Sequence, residues 1–311
     1  WTSPNTFLAS ANCALYCGAD IDFVDICPIT YNLSVIQLER KLEKAKSEGK
    51  LPKVVIPVHF SGQSCDMQAI KELSKKYGFY IIEDASHALG SSYKGAPVGS
   101  CCYSDITVFS FHPVKIMTTG EGGMAVTNQG DIAQRIKELR SHGMVRSSSQ
   151  FKGKSHGPWF YEQQELGYNY RITDLQCALG LSQLKRLDSF VVKRNKLAMK
   201  YQERLFDLPF ILPRIAKENY SSFHLYIVKV DKTKTHLSRL EIFNKLREKN
   251  IGVNVHYIPV HTQPYYQEKF GFSWGDFPES EAYYRQALTL PLFPNLKQQD
   301  YVVKALQGIF I

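Results

Sequence analysis

The sequence lacks the features that mark a membrane or disulfide-bonded protein. No apolar run approaches the roughly 18–20 residues that a membrane span requires, and the opening residues, WTSPNTFLASANCALYCG, lack the basic stretch of a secretory signal. The seven cysteines are odd in number and form no CxxC pair, which favours free thiols in a reducing cytosol over a disulfide framework or a zinc site. These absences predict a cytoplasmic protein without a membrane partner.

Clustered basic charge is also missing, although the chain is basic overall. Lys and Arg number 38 against 29 Asp and Glu, which gives a formal net charge of +9. These basic side chains are spread along predicted helices and form neither runs nor a known module, so we expect no nucleic-acid partner. The positive balance instead suits a small anionic ligand such as a phosphate, a nucleotide or a carboxylate.

Strand-like and helix-like segments alternate through the first two-thirds of the 311 residues, a length that suits about two domains. The predicted strands cover residues 21–25, 54–59, 79–82, 106–111 and 124–127. The predicted helices between them cover 35–45, 67–77 and 132–141, the second with Asp66 as N-cap and Gly78 as its stop. Apolar strands joined by helices predict an α/β fold, with a mostly parallel sheet covered on both faces.

After residue 143 the chain is predicted to form a long loop, two helices and then a smaller α+β domain. Residues 144–170 are predicted to form a long loop, a feature that is usually functional in compact domains, and two helices follow at 173 and over 188–206. Pro209 and Pro213 mark a boundary, which predicts a large domain over 1–208 and a small one over 209–311. The small domain is predicted to contain strands over 223–230 and 253–258, and helices beginning at a Ser238–Glu241 capping box and over 279–289 and 298–307.

An acid and an amine follow two neighbouring strands of the predicted sheet. Asp84 follows Glu83 directly after the predicted strand 79–82. Lys115 lies four residues after the predicted strand 106–111, in front of the turn Gly-Glu-Gly-Gly. Ligands of open α/β sheets collect outside the carboxyl ends of the strands. Pyridoxal phosphate needs a lysine that holds its aldehyde as a Schiff base, and an acid that keeps the ring nitrogen protonated so that the ring accepts electrons. Desolvation would lower the pKa of such a lysine towards a nucleophilic amine.

Taken singly, these residues also have ordinary structural interpretations. Lysines near glycine turns are usually solvated, an Asp after a strand is often a helix N-cap, and a lone histidine such as His87 is more often structural. The Gly-Glu-Gly-Gly turn lacks the spacing of GxGxxG and GxxxxGK[ST], which excludes a P-loop. His256 and His261 could suggest a metal pair, but no carboxylate keeps ligand spacing with them, so we expect no metal.

Several motifs, in this order along the chain, carry a more specific signal than any single residue. They are VIPVHFSGQSCDM, IIEDASHALGSSYKG, FSFHPVKIMTTGEGGMAVT, LRSHGM, LGYNYRITDLQCALGLSQLKRLD and VHYIPVH. From about residue 3 to the end, the sequence resembles the DegT/DnrJ/EryC1/StrS family of nucleotide-sugar aminotransferases. The resemblance implies the type I aminotransferase fold, pyridoxal 5'-phosphate as cofactor, L-glutamate as amino donor and a UDP-linked keto-sugar as acceptor, in pseudaminic acid or related surface-glycan biosynthesis.

The resemblance also implies a role for each matching residue around the cofactor. Lys115 aligns with the Schiff-base lysine, which also carries the proton between the two carbons of the exchange. Asp84 aligns with the carboxylate under the pyridine nitrogen, and His87 with a residue near the phenolic oxygen of the ring. Ser110 matches the phosphate-binding serine, and Phe7 matches the aromatic residue stacked on the ring.

Further matches imply contacts with the substrate and with a second subunit. Asn169, in GYNYR, matches an asparagine that reaches the phosphate across a dimer interface, so a homodimer with a cross-subunit active site is implied. Thr6 would lie beside the sugar. The substrate-binding element of the family matches Asn254, Val255, His256 and Tyr257.

The start of the sequence differs from the family pattern. Family members carry about sixty further residues before the position of Trp1, among them a loop opening a helix whose N-terminus binds the cofactor phosphate. Without those elements we expect an exposed edge or apolar face. The alternatives are therefore an aminotransferase of another nucleotide sugar, in which the keto group lies at C3 or C4, or a truncated, non-catalytic protein of this fold. A dehydrase is disfavoured because those relatives have histidine where this chain has Lys115.

Overall fold

Helices and strands alternate along the chain in the computed structural model, which describes residues 1–310. The helices are α1 Ala9–Tyr16, α2 Val35–Ser47, α3 Met67–Tyr77, α4 Gly130–Leu139, α5 Asp174–Leu184, α6 Leu187–Arg204, α7 Arg239–Glu248, α8 Pro264–Phe270, α9 Pro278–Gln286 and α10 Gln299–Gln307. The strands are β1 Val54–Val55, β2 Tyr80–Asp84, β3 Ser92–Tyr93, β4 Ala96–Pro97, β5 Ile106–Ser110, β6 Gly123–Val126, β7 Met144–Val145, β8 Glu162–Gln163, β9 Phe210–Ile211, β10 Asn219–Tyr220, β11 Tyr226–Val230 and β12 Ala287–Leu290. No helix within this part of the chain is both long and apolar enough to cross a bilayer.

A four-stranded sheet in the order β1-β2-β5-β6 lies at the centre of the first two-thirds. The pairs β1–β2 and β2–β5 are parallel, with Asp84 opposite Val108, whereas β6 is antiparallel to β5. The last strand runs back because a loop without a helix joins it to β5, and a parallel return requires a longer crossover. The predicted α/β fold with a mostly parallel sheet is confirmed.

Helix α3 shows how closely local signals fix an element. The Asp66 side chain accepts the amide N–H of Ala69 at 3.2 Å, and Gly78 ends the helix in the left-handed region with φ of 79°. Between these signals the helix buries Ile70 and Leu73 in a core that it shares with α2, β1 and β2. The prediction for residues 67–77 is confirmed.

Two predicted strands, over 21–25 and 253–258, are wrong. Phe23 makes only an isolated bridge to Thr2, and Asn254 makes only an isolated bridge to Thr289. Both segments have the apolar, β-branched composition of strands. A continuous ladder also needs a partner strand in register, which the local sequence does not reveal.

The predicted helix over 279–289 and the predicted loop over 144–170 also need correction. Helix α9 ends at Gln286, and Ala287–Leu290 forms β12, which pairs antiparallel with β11 from Tyr226↔Leu290 to Lys229↔Ala287. The loop contains a short antiparallel pair, β7 with β8. In both places cross-strand hydrogen bonding decides the structure, and periodicity within one segment cannot detect it.

A second core lies under the sheet β12-β11-β9. It includes Tyr226, Val228 and Leu288 from these strands, and also Tyr201 and Leu205, which precede the predicted boundary at residue 208. Helix α6 and the residue that follows it therefore pack on the smaller unit although they lie before the boundary. The division into 1–208 and 209–311 stays a prediction.

Asp25 joins the beginning of the chain to helix α9. Its carboxylate oxygens accept the amide N–H groups of Glu279 at 2.9 Å and Ser280 at 3.0 Å, in the first turn of α9. The Asp25 side chain is buried, and the negative charge complements the positive end of the helix dipole. This contact acts as an N-cap supplied from a distant segment of the chain.

Candidate active site

Asp84 lies at the carboxyl end of β2 with both carboxylate oxygens bonded. Oδ1 accepts the amide N–H of Ser86 at 3.0 Å, and Oδ2 accepts the hydroxyl proton of Ser10 at 2.5 Å. A cavity of about 1870 Å³ reaches Asp84 from the side of Trp1 and α2, and its lining includes Ser10, Ser86 and Val108 but not Lys115, His87 or Tyr257. The carboxylate is therefore fixed in orientation at the edge of an open space.

Lys115 lies in the loop between β5 and β6, which backbone hydrogen bonds hold closed. The amide of Lys115 donates to the carbonyl of His112 at 2.9 Å, and the amide of Phe111 donates to the carbonyl of Gly122 at 2.8 Å. Glycine is required at position 122, because a Cβ there would collide with Oγ1 of Thr119. Burial lowers the pKa of Lys115, and the negative charge of Asp84 partly opposes that shift. The structure thus places the amine within electrostatic reach of the acid.

Tyr257 and His87 form a hydrogen-bonded pair in the same region. Tyr257 Oη lies 3.1 Å from His87 Nε2, and the two rings are stacked with centroids 6.0 Å apart. The amide N–H of Ser61 points at His87 Nδ1 at 3.4 Å, which leaves the imidazole proton on Nε2. His87 then donates to Tyr257 Oη, and the phenol keeps its own proton for another acceptor.

Three histidines of this region, His87, His224 and His256, have lowered pKa values. Burial is the largest cause for each, and the positive charge of Lys115 lowers the pKa of all three further. The pKa of His256 falls to about 4. At neutral pH the imidazoles are therefore uncharged, and Lys115 is the cation that they face.

Acid is expected to destabilise the fold through His256. Its pKa is 6.5 when unfolded and about 4 when folded, so its contribution is complete above pH 6.5 and is lost as the pH falls towards 4. Between pH 6.5 and 4, the free energy of unfolding should fall about 3 kcal/mol further in the unsubstituted protein than in His256→Gln. Urea titrations at the two pH values measure this difference, and parallel losses in the two proteins would contradict it.

Phe7 contacts Tyr257, and Thr6, the residue before it, contacts Ser10. The Phe7 ring is 59% exposed, and its centroid lies 6.1 Å from that of Tyr257. Thr6 is buried, and its hydroxyl lies 2.7 Å from the Ser10 hydroxyl. The exposed Phe7 ring provides a face on which a flat heterocycle can stack, and Ser10 links this segment of the chain to Asp84.

The hydrogen bonds of Ser110, Asn254 and His256 go to residues other than Asp84 and Lys115. Ser110 ends β5, and its hydroxyl accepts only a long hydrogen bond, 3.4 Å, from the amide of His112. Asn254 Oδ1 accepts the amide N–H of Val255 at 2.8 Å, and His256 Nδ1 lies 2.9 Å from Thr289 Oγ1. The segment 254–257 therefore reaches the site through Tyr257, with His256 close enough to feel the charge of Lys115.

Asn169 is not brought to the other predicted residues within one subunit. Its backbone forms an isolated bridge with Ser141, beyond the end of α4, and its side chain is exposed. The flanking Tyr168 and Tyr170 stack on each other with centroids 4.7 Å apart, and both rings are exposed. Asn169 is thus presented outward on an aromatic surface.

Sequence reasoning missed two residues of the site, Ser10 and His224. Ser10 binds Asp84 across 74 positions of the chain. Its one local signal is a hydroxyl spaced one helical turn after Thr6. The His224 ring lies 4.3 Å from that of His87, and no pattern in the sequence predicts this contact. Residues 1–310 contain no cluster of His, Cys, Asp and Glu suited to a metal ion.

Known proteins resemble this chain over nearly its whole length. The profile of the DegT/DnrJ/EryC1/StrS aminotransferase family matches residues 2–307. The chain is 40% identical over 312 residues to the spore coat polysaccharide biosynthesis protein SpsC of Bacillus subtilis. The alignment covers 99% of this chain and 78% of SpsC. It is 38% identical over 312 residues to the UDP-4-amino-4,6-dideoxy-N-acetyl-beta-L-altrosamine transaminase of Campylobacter jejuni, with the same coverage of 99% and 78%. The structure of Helicobacter pylori PseC, an aminotransferase involved in pseudoaminic acid biosynthesis, superposes with a TM-score of 0.88 at 30% identity and covers 99% of this chain and 78% of PseC.

Proposed function

Because this chain belongs to the DegT/DnrJ/EryC1/StrS aminotransferase family, we propose that it transfers an amino group from L-glutamate to the C4 keto group of a UDP-linked 4-keto-deoxy-N-acetylhexosamine. The broader activity, that of a pyridoxal-phosphate-dependent transaminase, follows from the family. The finer assignment, to pseudaminic acid or related surface-glycan biosynthesis, is supported by the similarity to the Campylobacter transaminase and to PseC. The observation that carries the chemistry is that Asp84 ends β2, Lys115 follows the neighbouring strand β5, and the charge of Asp84 acts on the pKa of Lys115.

The residues present fit the cofactor. Lys115 offers an amine whose pKa is lowered by burial, Asp84 offers a carboxylate fixed by two donors, and Phe7 offers an exposed aromatic face. Ser110, at the end of β5, would contribute to phosphate binding. When bound, pyridoxal phosphate supplies an electron-accepting ring that stabilises negative charge on the carbon losing its proton.

The chain's own side chains would divide the remaining work. Lys115 Nζ would move the proton between donor and acceptor carbons, since a desolvated amine exchanges protons near neutral pH more readily than a solvated one. Asp84 would hold the ring nitrogen protonated. The phenol proton of Tyr257, freed by the His87 hydrogen bond, would be donated to an oxygen of the cofactor or sugar. Thr6, Asn254, Val255 and His256 would contact the sugar nucleotide.

We further propose a homodimer in the cytoplasm, with Asn169 reaching the phosphate of its partner's cofactor. The occupant proposed for the surface around Asn169 is a second copy of this chain. Four apolar side chains within ten positions of Asn169 in the sequence are strongly exposed: Trp159 at 75%, Leu166 at 88%, Tyr170 at 73% and Leu175 at 85%. Exposed apolar side chains that form a contiguous patch mark an interaction surface. The free cysteines accord with a reducing compartment.

A mixed dimer tests the cross-subunit site. Lys115→Ala and Asn169→Asp subunits are co-expressed with different tags, and each variant is also purified alone. Each should be nearly inactive alone. The first variant lacks the Lys115 amine, and in the second the carboxylate introduced at position 169 repels the phosphate. Mixed dimers should contain one intact site, which restores about a quarter of the unsubstituted activity when subunits pair at random. If Asn169 served its own subunit, no mixture would exceed the sum of the separate variants.

The substrate is tested with a panel of sugar nucleotides. The purified protein is incubated with pyridoxal phosphate, L-glutamate and either UDP- or TDP-linked 4-keto sugars, and 2-oxoglutarate release is followed. Release with UDP-linked 4-keto-N-acetylhexosamines supports the proposal. Release with TDP-linked sugars alone would overturn the pseudaminic assignment and leave a different nucleotide-sugar transaminase. A protein that stays colourless with pyridoxal phosphate would favour a non-catalytic role.

A further inference from the structure

A one-way chain of hydroxyl groups ends on Asp84. A carboxylate can only accept, so the single proton of the Ser10 hydroxyl is donated to Asp84 Oδ2 at 2.5 Å. The Ser10 oxygen lies 2.7 Å from that of Thr6 and has no second proton to give. Thr6 must therefore donate to Ser10, and the order of donation is Thr6 to Ser10 to Asp84.

The two hydroxyls are built into the protein interior. Ser10 is 5% exposed and Thr6 is 2% exposed, and each makes the contacts described above. Hydrogen bonds to a carboxylate are shorter and about twice as strong as hydrogen bonds between neutral groups. Ser10 lies in the first turn of α1, and Phe7 precedes that helix. The same hydroxyls thus tie the carboxylate to the segment that carries the exposed aromatic ring.

We infer that Ser10, backed by Thr6, is a positioning residue that holds the Asp84 carboxylate in the orientation in which it would meet the ring nitrogen of the cofactor. This inference rests on the proposed function for its cofactor but does not depend on the identity of the sugar.

The test is a double-mutant cycle read by cofactor binding. Pyridoxal phosphate is titrated into apoprotein, without any sugar, and its dissociation constant is obtained from near-visible absorbance. Ser10→Ala should weaken binding about tenfold or more, as expected for the loss of a hydrogen bond to a charged group. In an Asp84→Asn background the same substitution should change binding by less than about threefold. An equal loss in both backgrounds would overturn the inference.

Matched variants separate this role from a packing role. Ser10→Thr keeps a hydroxyl, and Ser10→Val has the shape of threonine without a hydroxyl. The Ser10→Thr variant should therefore bind the cofactor near the unsubstituted level, and the Ser10→Val variant should bind it as weakly as Ser10→Ala. Cys13→Ala, one turn further along α1 and lining the same cavity, should leave binding unchanged. Equal losses for threonine and valine would contradict the inference. Normal cofactor titration without turnover of any sugar would overturn the proposed substrate and leave the role of Ser10 standing.

Discussion

Lys115→Ala is expected to reduce amino transfer by about 10⁴-fold, the largest effect of any single substitution in this protein. The substitution removes both the amine that would bond to the cofactor and the base that would move the proton. Tyr257 and the neutral histidines nearby cannot replace it, since burial raises the pKa of Tyr257 and lowers that of His87.

The measurement is 2-oxoglutarate release from L-glutamate with saturating keto-sugar. Lys75→Ala, an exposed lysine on α3, is the matched control and should retain full activity. Absorbance after addition of pyridoxal phosphate shows whether cofactor still enters the variant. Loss of less than tenfold with cofactor bound would remove Lys115 from the reaction and with it the interpretation of the strand-end pair.

Glu83→Ala is expected to lower the free energy of unfolding by about 3–5 kcal/mol, because it removes the shared acceptor of three buried side-chain donors. Glu83 Oε2 lies 2.6 Å from His59 Nε2, the His59 ring is fully buried, and Thr107 donates to Glu83 Oε1 at 3.1 Å. Burial alone would lower the pKa of His59, but its contacts with Cys65 and Glu83 raise it. Removing the carboxylate leaves the imidazole and two hydroxyls, of Ser104 and Thr107, without their acceptor.

Glu83→Gln provides the comparison, since it keeps the shape and an acceptor oxygen and should cost less than Glu83→Ala. Urea unfolding at neutral pH followed by circular dichroism gives both values. A cost below about 1 kcal/mol for Glu83→Ala would show that the pair contributes no net stability. Because Glu83 immediately precedes Asp84, the alanine variant should also lower amino transfer.

Local signals predicted the fold where a single segment contains its own information. Helix α3 and the capping box at Ser238 follow from residues within one or two turns, and the Ser238 and Glu241 side chains each bond the other's backbone as predicted. The strand-end rule brought Asp84 and Lys115 to the same region. It needs only the order of strands, which the alternation of elements provides.

The missed features depend on partners far along the chain. Residues 287–289 continue the helical sequence pattern of α9 but form part of a strand, because they pair with β11 through backbone hydrogen bonds. Ser10 and His224 enter the site through contacts with Asp84 and His87 that no spacing rule connects. The role of Asn169 came only from the family resemblance and stays a prediction, because within one subunit its backbone bridges only Ser141 and its side chain is exposed.

The Asp25 contact with α9 has a consequence for biosynthesis on the ribosome. The two ends of this contact are separated by 254 positions. At translation rates of about 5–20 residues per second, on the order of tens of seconds pass between the synthesis of Asp25 and that of its partner Glu279. During that interval the Asp25 charge can stay in water at no cost, but a chain that stops short of position 279 can never bury it with a partner. Premature termination products should consequently be poor competitors for assembly and good substrates for proteolysis.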